Sequence, residues 1–141
     1  MKIRRTRYNQ ILYYCPIVPP EVGGILGSKD AVIDSVAYDS KYREYEKAMY
    51  IPDVKHLNRV INQWCEHGIS FVGLFHSHPT GQETLSEEDI SYIARIFQYM
   101  PLSISELYFP IVIPKSHMIS YKAINQNHRV IISNDRIDLV P

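Results

Sequence analysis

The residues best suited to chemistry lie in one run, Phe75-His76-Ser77-His78-Pro79-Thr80-Gly81, continuing to Leu85-Ser86-Glu87-Glu88-Asp89. His76 and His78 are two apart, and in an extended chain that spacing puts both imidazoles on one face. Asp89 comes eleven residues after His78. The loop between them contains Gly81, so it can fold back and bring the carboxylate to the same point. Two imidazoles and one carboxylate leave the fourth position of a tetrahedral zinc ion open, as in a catalytic site and unlike a closed structural one. An ion held this way makes a nucleophile of water near neutral pH. Such a site still needs a general base, and it gains from a donor aimed at the developing oxyanion. Ser86, three residues before Asp89, offers a hydroxyl on the same lip.

Each half of this run is ordinary by itself. Most His-x-His pairs are solvated loop histidines. Ser-Glu-Glu-Asp is a common helix start, with Ser as N-cap and acids in a first turn that the helix dipole favours. The specificity comes from finding both, in order, behind an apolar segment and with Pro and Gly shaping the loop.

The elements that must position these residues can be read from periodicity. Ile69 to Phe75 is apolar nearly throughout, as a strand buried on both faces would be. Ser86 starts a helix running to about Tyr99, with Ile90, Ile93, Ala94, Phe97 and Met100 as its apolar stripe and Pro101 at its end. An earlier helix opens at Pro52-Asp53, with Asp53 as N-cap. Leu57, Val60, Ile61 and Trp64 recur along it, and Gly68 lies just past its end. Residues 8–14 form a short helix, stopped by the prolines of Cys15 to Pro20.

Val22 to Leu26 and Ala31 to Tyr38 read as strands joined by a turn at Gly27-Ser28-Lys29-Asp30. Further strands are expected at Tyr45 to Ile51, Tyr108 to Ile113, Ile119 to Ile124 and Val130 to Ile132. The sum is a single α/β domain over residues 1–141, with a mixed sheet flanked by helices.

Bulk properties set outer limits. A chain of 141 residues can bury one core without staples. Apolar residues at 45% and charged residues at 21% exclude a disordered chain. Lys+Arg and Asp+Glu both number 15, so nothing in the net charge favours nucleic acid or an anionic membrane. Lys2, Arg4, Arg5 and Arg7 read as a solubilising tail. Cys15 and Cys65 are no disulfide framework and read as reduced, buried thiols. No apolar run approaches the ~20 residues that span a bilayer. No signal segment follows the N-terminal charges. The expectation is a cytoplasmic protein.

At the level of motif, the chain resembles the JAMM (JAB1/MPN/Mov34) metalloproteases, whose signature is H-x-H-P-x-G-x4-S-x-x-D. Here it reads His76-Ser77-His78-Pro79-Thr80-Gly81, then Gln82 to Leu85, then Ser86-Glu87-Glu88-Asp89. The family's upstream glutamate matches Glu21 in Pro20-Glu21-Val22-Gly23-Gly24-Ile25-Leu26-Gly27. The resemblance implies a cytidine-deaminase-like layout, Zn²⁺ as cofactor, and His76, His78 and Asp89 as metal ligands. It further implies Glu21 as general base and Ser86 as oxyanion donor. Chemistry alone leaves Glu44, Glu46, Glu83 and Glu88 as rival bases. Glu21 is preferred through the resemblance, and through the Gly-Gly that follows, where another backbone or a substrate can come close.

The likeness also implies hydrolysis of peptide or isopeptide bonds. The chain is short, like the compact prokaryotic branch, which points to ubiquitin-like or sulfur-carrier proteins with a Gly-Gly tail. Such a tail could add to a strand near the metal. Other readings are a catalytically silent MPN-fold scaffold, a peptidoglycan peptidase, and a branch associated with DNA repair.

His56, His67, His117 and His128 read as surface residues. Cys65 reads as core beside Trp64. Tyr13, Tyr14, Tyr42, Tyr45 and Tyr50 could line a peptide-binding face, but packing explains tyrosines equally well.

Overall fold

Residues 1–18, 20–39 and 52–141 are described by the computed structural model. Strands β1 (Lys2–Arg4), β2 (Gly23–Lys29), β3 (Val32–Tyr38), β4 (Ser70–Ser77), β5 (Glu106–Tyr108), β6 (Ile111–Ile113), β7 (His117–Gln126), β8 (Arg129–Asp135) and β9 (Asp138–Val140) build one sheet. Helices α1 (Arg5–Tyr14), α2 (Val54–Glu66) and α3 (Glu87–Tyr99) flank it. The strand order is β5-β7-β6-β4-β2-β3-β1-β9, with β8 paired to β7. β4 runs parallel to β5 and β6, and β1 runs parallel to β3 and β9. The sheet is therefore mixed, as expected. No helix among the described residues is long and apolar enough to cross a membrane.

The sheet separates two cores. On the α1 face, Ile3, Ile11, Cys15, Val22, Leu26, Ile33, Phe75, Val112 and Met118 pack together. On the other face, Ile25, Leu74, Leu107 and Phe109 pack with Leu57 of α2 and with Ile93 and Phe97 of α3. A bulge in β4 decides which face its last residues join. Leu26 pairs with Gly73, but Gly27 pairs with Phe71, so Val72 is an extra residue. Phe71 and Leu74 both face α2 and α3 because of it, and the alternation after Leu74 puts His76 on that face too.

Several sequence expectations need correction. The turn after β2 is not at residues 27–30. β2 continues to Lys29, and the chain reverses at Asp30 and Ala31, both at positive φ, as a two-residue hairpin turn matching the strand twist requires. The predicted strand from Tyr108 to Ile113 is two strands broken at Phe109-Pro110, because Pro110 has no N–H to give the ladder. The N-terminal basic residues are not a loose tail. Ile3 is fully buried, β1 pairs on both sides, and Arg4 and Arg7 both reach Asp34.

Cys65 is exposed and not core. It lies roughly 80° round the helix from Leu57 and outside the stripe that runs through Ile61 and Trp64. Ile90 is exposed on α3, about 60° round from Ile93 and turned away from the sheet. The strand expected at Tyr45 to Ile51 lies outside the described residues, as do Tyr42, Glu44 and Glu46.

Candidate metal centre

Three elements meet at one end of the central strands: β2 and α3 begin there and β4 ends there. β2 and β4 are antiparallel, with Gly23 opposite His76 and Gly24 opposite Phe75. The ladder extends one step further. The Val22 N–H donates to Ser77 Oγ at 2.9 Å, and the Ser77 N–H donates to the Val22 carbonyl at 2.8 Å. By that register Glu21 falls opposite His78, and its odd position puts it on the face of Ile25, the face that holds the histidines.

Gly24 shows why a residue without a side chain follows. A Cβ there would lie 2.2 Å from the Ala37 carbonyl oxygen and 2.8 Å from the Phe75 ring. Of the two alternatives for the Gly-Gly pair, close approach of another backbone is what these contacts show at Gly24.

Asp89 arrives from α3. Ser86 is the N-cap, its Oγ accepting from the Asp89 N–H at 3.1 Å, while the Ser86 N–H donates to Asp89 Oδ2 at 2.9 Å. This capping box fixes the carboxylate at the helix start, where the dipole also favours it. Asp89 lies on the stripe of Ile93, Ile96 and Met100, so it points toward the sheet.

The groups converge closely. His76 Nε2 and His78 Nε2 are 2.8 Å apart. Asp89 Oδ1 is 3.2 Å from His76 Nε2, and Asp89 Oδ2 is 3.2 Å from His78 Nε2. A carboxylate oxygen of Glu21 lies within 4.8 Å of a ring nitrogen of each histidine. The side chains of His76, His78 and Asp89 are 13%, 5% and 20% exposed, so the cluster is largely shielded from water.

The orientation of His78 has a visible cause. Its Nδ1 lies 3.0 Å from the Gln82 carbonyl, so Nδ1 is a donor, and in the neutral ring Nε2 carries the lone pair. The carbonyl is aimed by a tight turn. The Gln82 N–H donates to the Pro79 carbonyl at 3.0 Å, and Gly81 has φ +90°. Thr80 is not at positive φ, so the turn is type II, which favours Gly at this position.

The electrostatics follow from this crowding. Burial pushes the Asp89 carboxyl up, but hydrogen bonds from His76 and His78, the charge of His76 and the Ser86 N–H together hold it well below the usual carboxylate range. Burial pulls His78 down, but Asp89, the Gln82 carbonyl and the charge of Glu21 outweigh it and raise the imidazole. Two ring nitrogens and two carboxylate oxygens at such separations cannot all keep bare lone pairs. They share a proton or a cation.

The donor set fits zinc. Bonds of ~2.0–2.1 Å at tetrahedral angles set ligand atoms ~3.3 Å apart, and the observed separations are 2.8 to 3.2 Å. His76, His78 and Asp89 can therefore hold the ion with small adjustments, with Glu21 beside it. A cavity of about 750 Å³ adjoins, lined by His76 and Asp89 and otherwise mainly by apolar residues such as Leu57, Ile61, Leu74, Ile93 and Phe109.

The other candidates lie elsewhere. Glu83 pairs with His117. His67 caps α2 with Nδ1 on the Gln63 carbonyl, and His128 lies in the β7–β8 turn. Glu88 lines the cavity, while Glu44 and Glu46 are outside the described residues. Sequence reasoning missed Ser77, Gln82 and the Glu83–His117 pair. The buried Ser77 was detectable as the small polar residue alternating between two histidines. The Gln82 contribution is a backbone carbonyl, so no side-chain pattern could disclose it.

Comparisons with known proteins agree with this architecture. A family model for prokaryotic homologues of the JAB domain matches residues 15–129. No curated protein matches the chain. Among solved structures, the chain is similar to a protein from Desulfitobacterium hafniense, at 18% identity and a TM-score of 0.68, over 99% of this chain and 92% of that one. It is similar to a JAB1/MPN domain protein from Archaeoglobus fulgidus at 20% identity and a TM-score of 0.58, over the whole of both chains. A protein from Salinibacter ruber gives 16% identity and a TM-score of 0.58, over 99% and 92%. At these identities the structural likenesses establish the fold, whereas the family match spans most of the sequence. The chain belongs to the prokaryotic JAB-domain family, the compact branch of the JAB1/MPN fold.

Proposed function

We propose that this protein is a zinc-dependent hydrolase of peptide or isopeptide bonds. The observation that carries the reading is the meeting of His76, His78 and Asp89 at 2.8 to 3.2 Å, with a Glu21 oxygen within 4.8 Å of both histidines. His76, His78 and Asp89 hold the metal. A bound zinc supplies Lewis acidity, polarising the scissile carbonyl and bringing the pKa of water to ~7. Glu21 is the general base, taking a proton from the attacking water and passing it to the leaving amine. Its distance suits transfer across one intervening water. Ser86 Oγ accepts from the helix backbone, which leaves its own proton for the developing oxyanion.

The substrate class is the Gly-Gly tail of a ubiquitin-like or sulfur-carrier protein. Glycines fit where β-structure crowds the site, and the apolar cavity beside it favours a polypeptide over a small polar ligand. The test is cleavage of a Gly-Gly-tailed ubiquitin-like fusion by wild type, Glu21→Gln and chelator-treated protein. Glu21→Gln should keep zinc and lose ~10²-fold or more in rate, as removal of a general base does. Full activity of that variant excludes Glu21 as the base. Wild-type protein that takes up no zinc at neutral pH would favour a scaffold instead.

A further inference from the structure

The loop that aims the Gln82 carbonyl is tethered on its far side. Glu83 Oε1 lies 2.5 Å from His117 Nε2, His117 Nδ1 lies 2.7 Å from Ser116 Oγ, and the Tyr121 hydroxyl donates to the Glu83 carbonyl at 2.9 Å. Sheet register explains how β7 comes within reach. His76 and Ser77 pair with Ile111 and Val112 of β6, so His78 comes abreast of Ile113, and the His78 N–H donates to the Val112 carbonyl at 3.0 Å. Ile113 in turn pairs with His117. The loop therefore leaves β4, arches over β6 and is caught by β7. His117 and Tyr121 are four apart on one strand and share a face, the one that carries the histidines.

The pair is half-exposed, at 44% and 50% for the two side chains. Pairs this exposed add little to fold stability. Its position relative to the site is more telling. Glu83 directly follows Gln82, whose carbonyl holds His78 Nδ1. Fixing Glu83 through both its carboxylate and its carbonyl removes the freedom of the peptide that carries the Gln82 oxygen.

We infer that His117 and Tyr121 are positioning residues for the metal centre, holding Glu83 so that the Gln82 carbonyl keeps the Nε2 lone pair of His78 aimed at the ion. The inference rests on the zinc reading above for its purpose. Its geometry is independent of that reading.

The experiment uses His117→Ala, Tyr121→Phe and His117→Gln, with two readouts. Zinc affinity is measured by competition with a chromophoric chelator. Loss of the outer-shell partner of a ligating histidine costs about 10- to 100-fold in metal affinity, and these variants loosen the Gln82 carbonyl without removing it, so His117→Ala and Tyr121→Phe should each weaken binding by up to ~10-fold. The melting temperature of the zinc-free protein should stay unchanged. His117→Gln, which keeps a donor for Glu83, should recover most of the affinity.

The second readout is the tautomer of His78 in metal-free protein at alkaline pH, by nitrogen-15 NMR. Wild type should show one tautomer, protonated at Nδ1, and the two disruptive variants a mixture. An unchanged tautomer overturns the inference, as does unchanged affinity. Lost affinity with a lowered melting temperature and no recovery in His117→Gln overturns it as well, leaving only a fold contact. If wild type binds no zinc, the hydrolase reading fails, and the tautomer alone decides the positioning role.

Discussion

Ser86 is asked to do two things, and a pair of substitutions separates them. Its Oγ accepts the Asp89 N–H at 3.1 Å, so it caps α3. Loss of an N-cap side chain to Ala costs ~0.5–2 kcal/mol, whereas Gly at the same position costs only a few tenths. Ser86 is exposed, so about 1 kcal/mol is the reasonable figure for Ser86→Ala. In a domain of 141 residues that corresponds to a fall in Tm of roughly 3–4 °C. Ser86→Gly should melt close to wild type. The oxyanion role responds differently, because both variants remove the hydroxyl. Loss of one such donor lowers kcat by ~10²–10³-fold.

The expected pattern is therefore unequal stability and equal loss of rate, read by thermal melts and by cleavage of the Gly-Gly-tailed fusion at saturating zinc. Asp89 keeps its bond from the Ser86 backbone N–H in both variants, so zinc content should hold. Wild-type kcat in Ser86→Gly would refute the donor role. Equal melting of the Ala and Gly variants would refute the capping argument.

Two further predictions rest on the same region. With zinc removed, the lowered Asp89 carboxyl contributes stability above its ordinary pKa of ~4, lost as pH falls through the folded value. The raised His78 contributes below its ordinary ~6.5, lost as pH rises through the folded value. Chelated protein should therefore lose stability between pH 6 and pH 8 in urea unfolding, and Asp89→Asn should flatten that decline; an equal slope in both proteins would contradict it. Gly24→Ala places a Cβ 2.2 Å from the Ala37 carbonyl oxygen, an overpacking of ~1–3 kcal/mol or more. Urea unfolding at wild-type stability would show that β2 and β3 can part without cost.

How much of this was legible in the sequence depends on the range of the interactions involved. α2 and α3 were readable because stripes such as Leu57-Ile61-Trp64, and caps such as Asp53 and Ser86, are local signals. The motif around His76 and Asp89 was readable for the same reason. β1 and β9 were not, since three-residue strands carry no periodicity and exist only because Ile3 pairs with Ile33 and Leu139. Cys65 was misjudged because neighbours on a helix do not share a face. His117 was passed over because nothing local in the sequence shows that the fold lays it against Glu83.

The extra residue Val72 in β4 has a bearing on how the protein can change over time. Side chains on a strand alternate with strict parity, so the pairing that resumes at Gly73 sets the face of everything downstream, and the bulge takes up the one spare residue. Point replacements at Val72 alter packing by a methyl group or two. Removal of that one residue would restore a regular ladder and leave His76 opposite Gly23 on the same face, whereas one added residue between Leu74 and His76 would turn His76 and His78 into the α1 core, with Ser77 out in their place. The register of the site thus tolerates replacement or loss of Val72 and does not tolerate added length between Leu74 and His76. An insertion there would displace the histidine cluster as completely as replacing one of its members, although the added residue need not lie in the cluster.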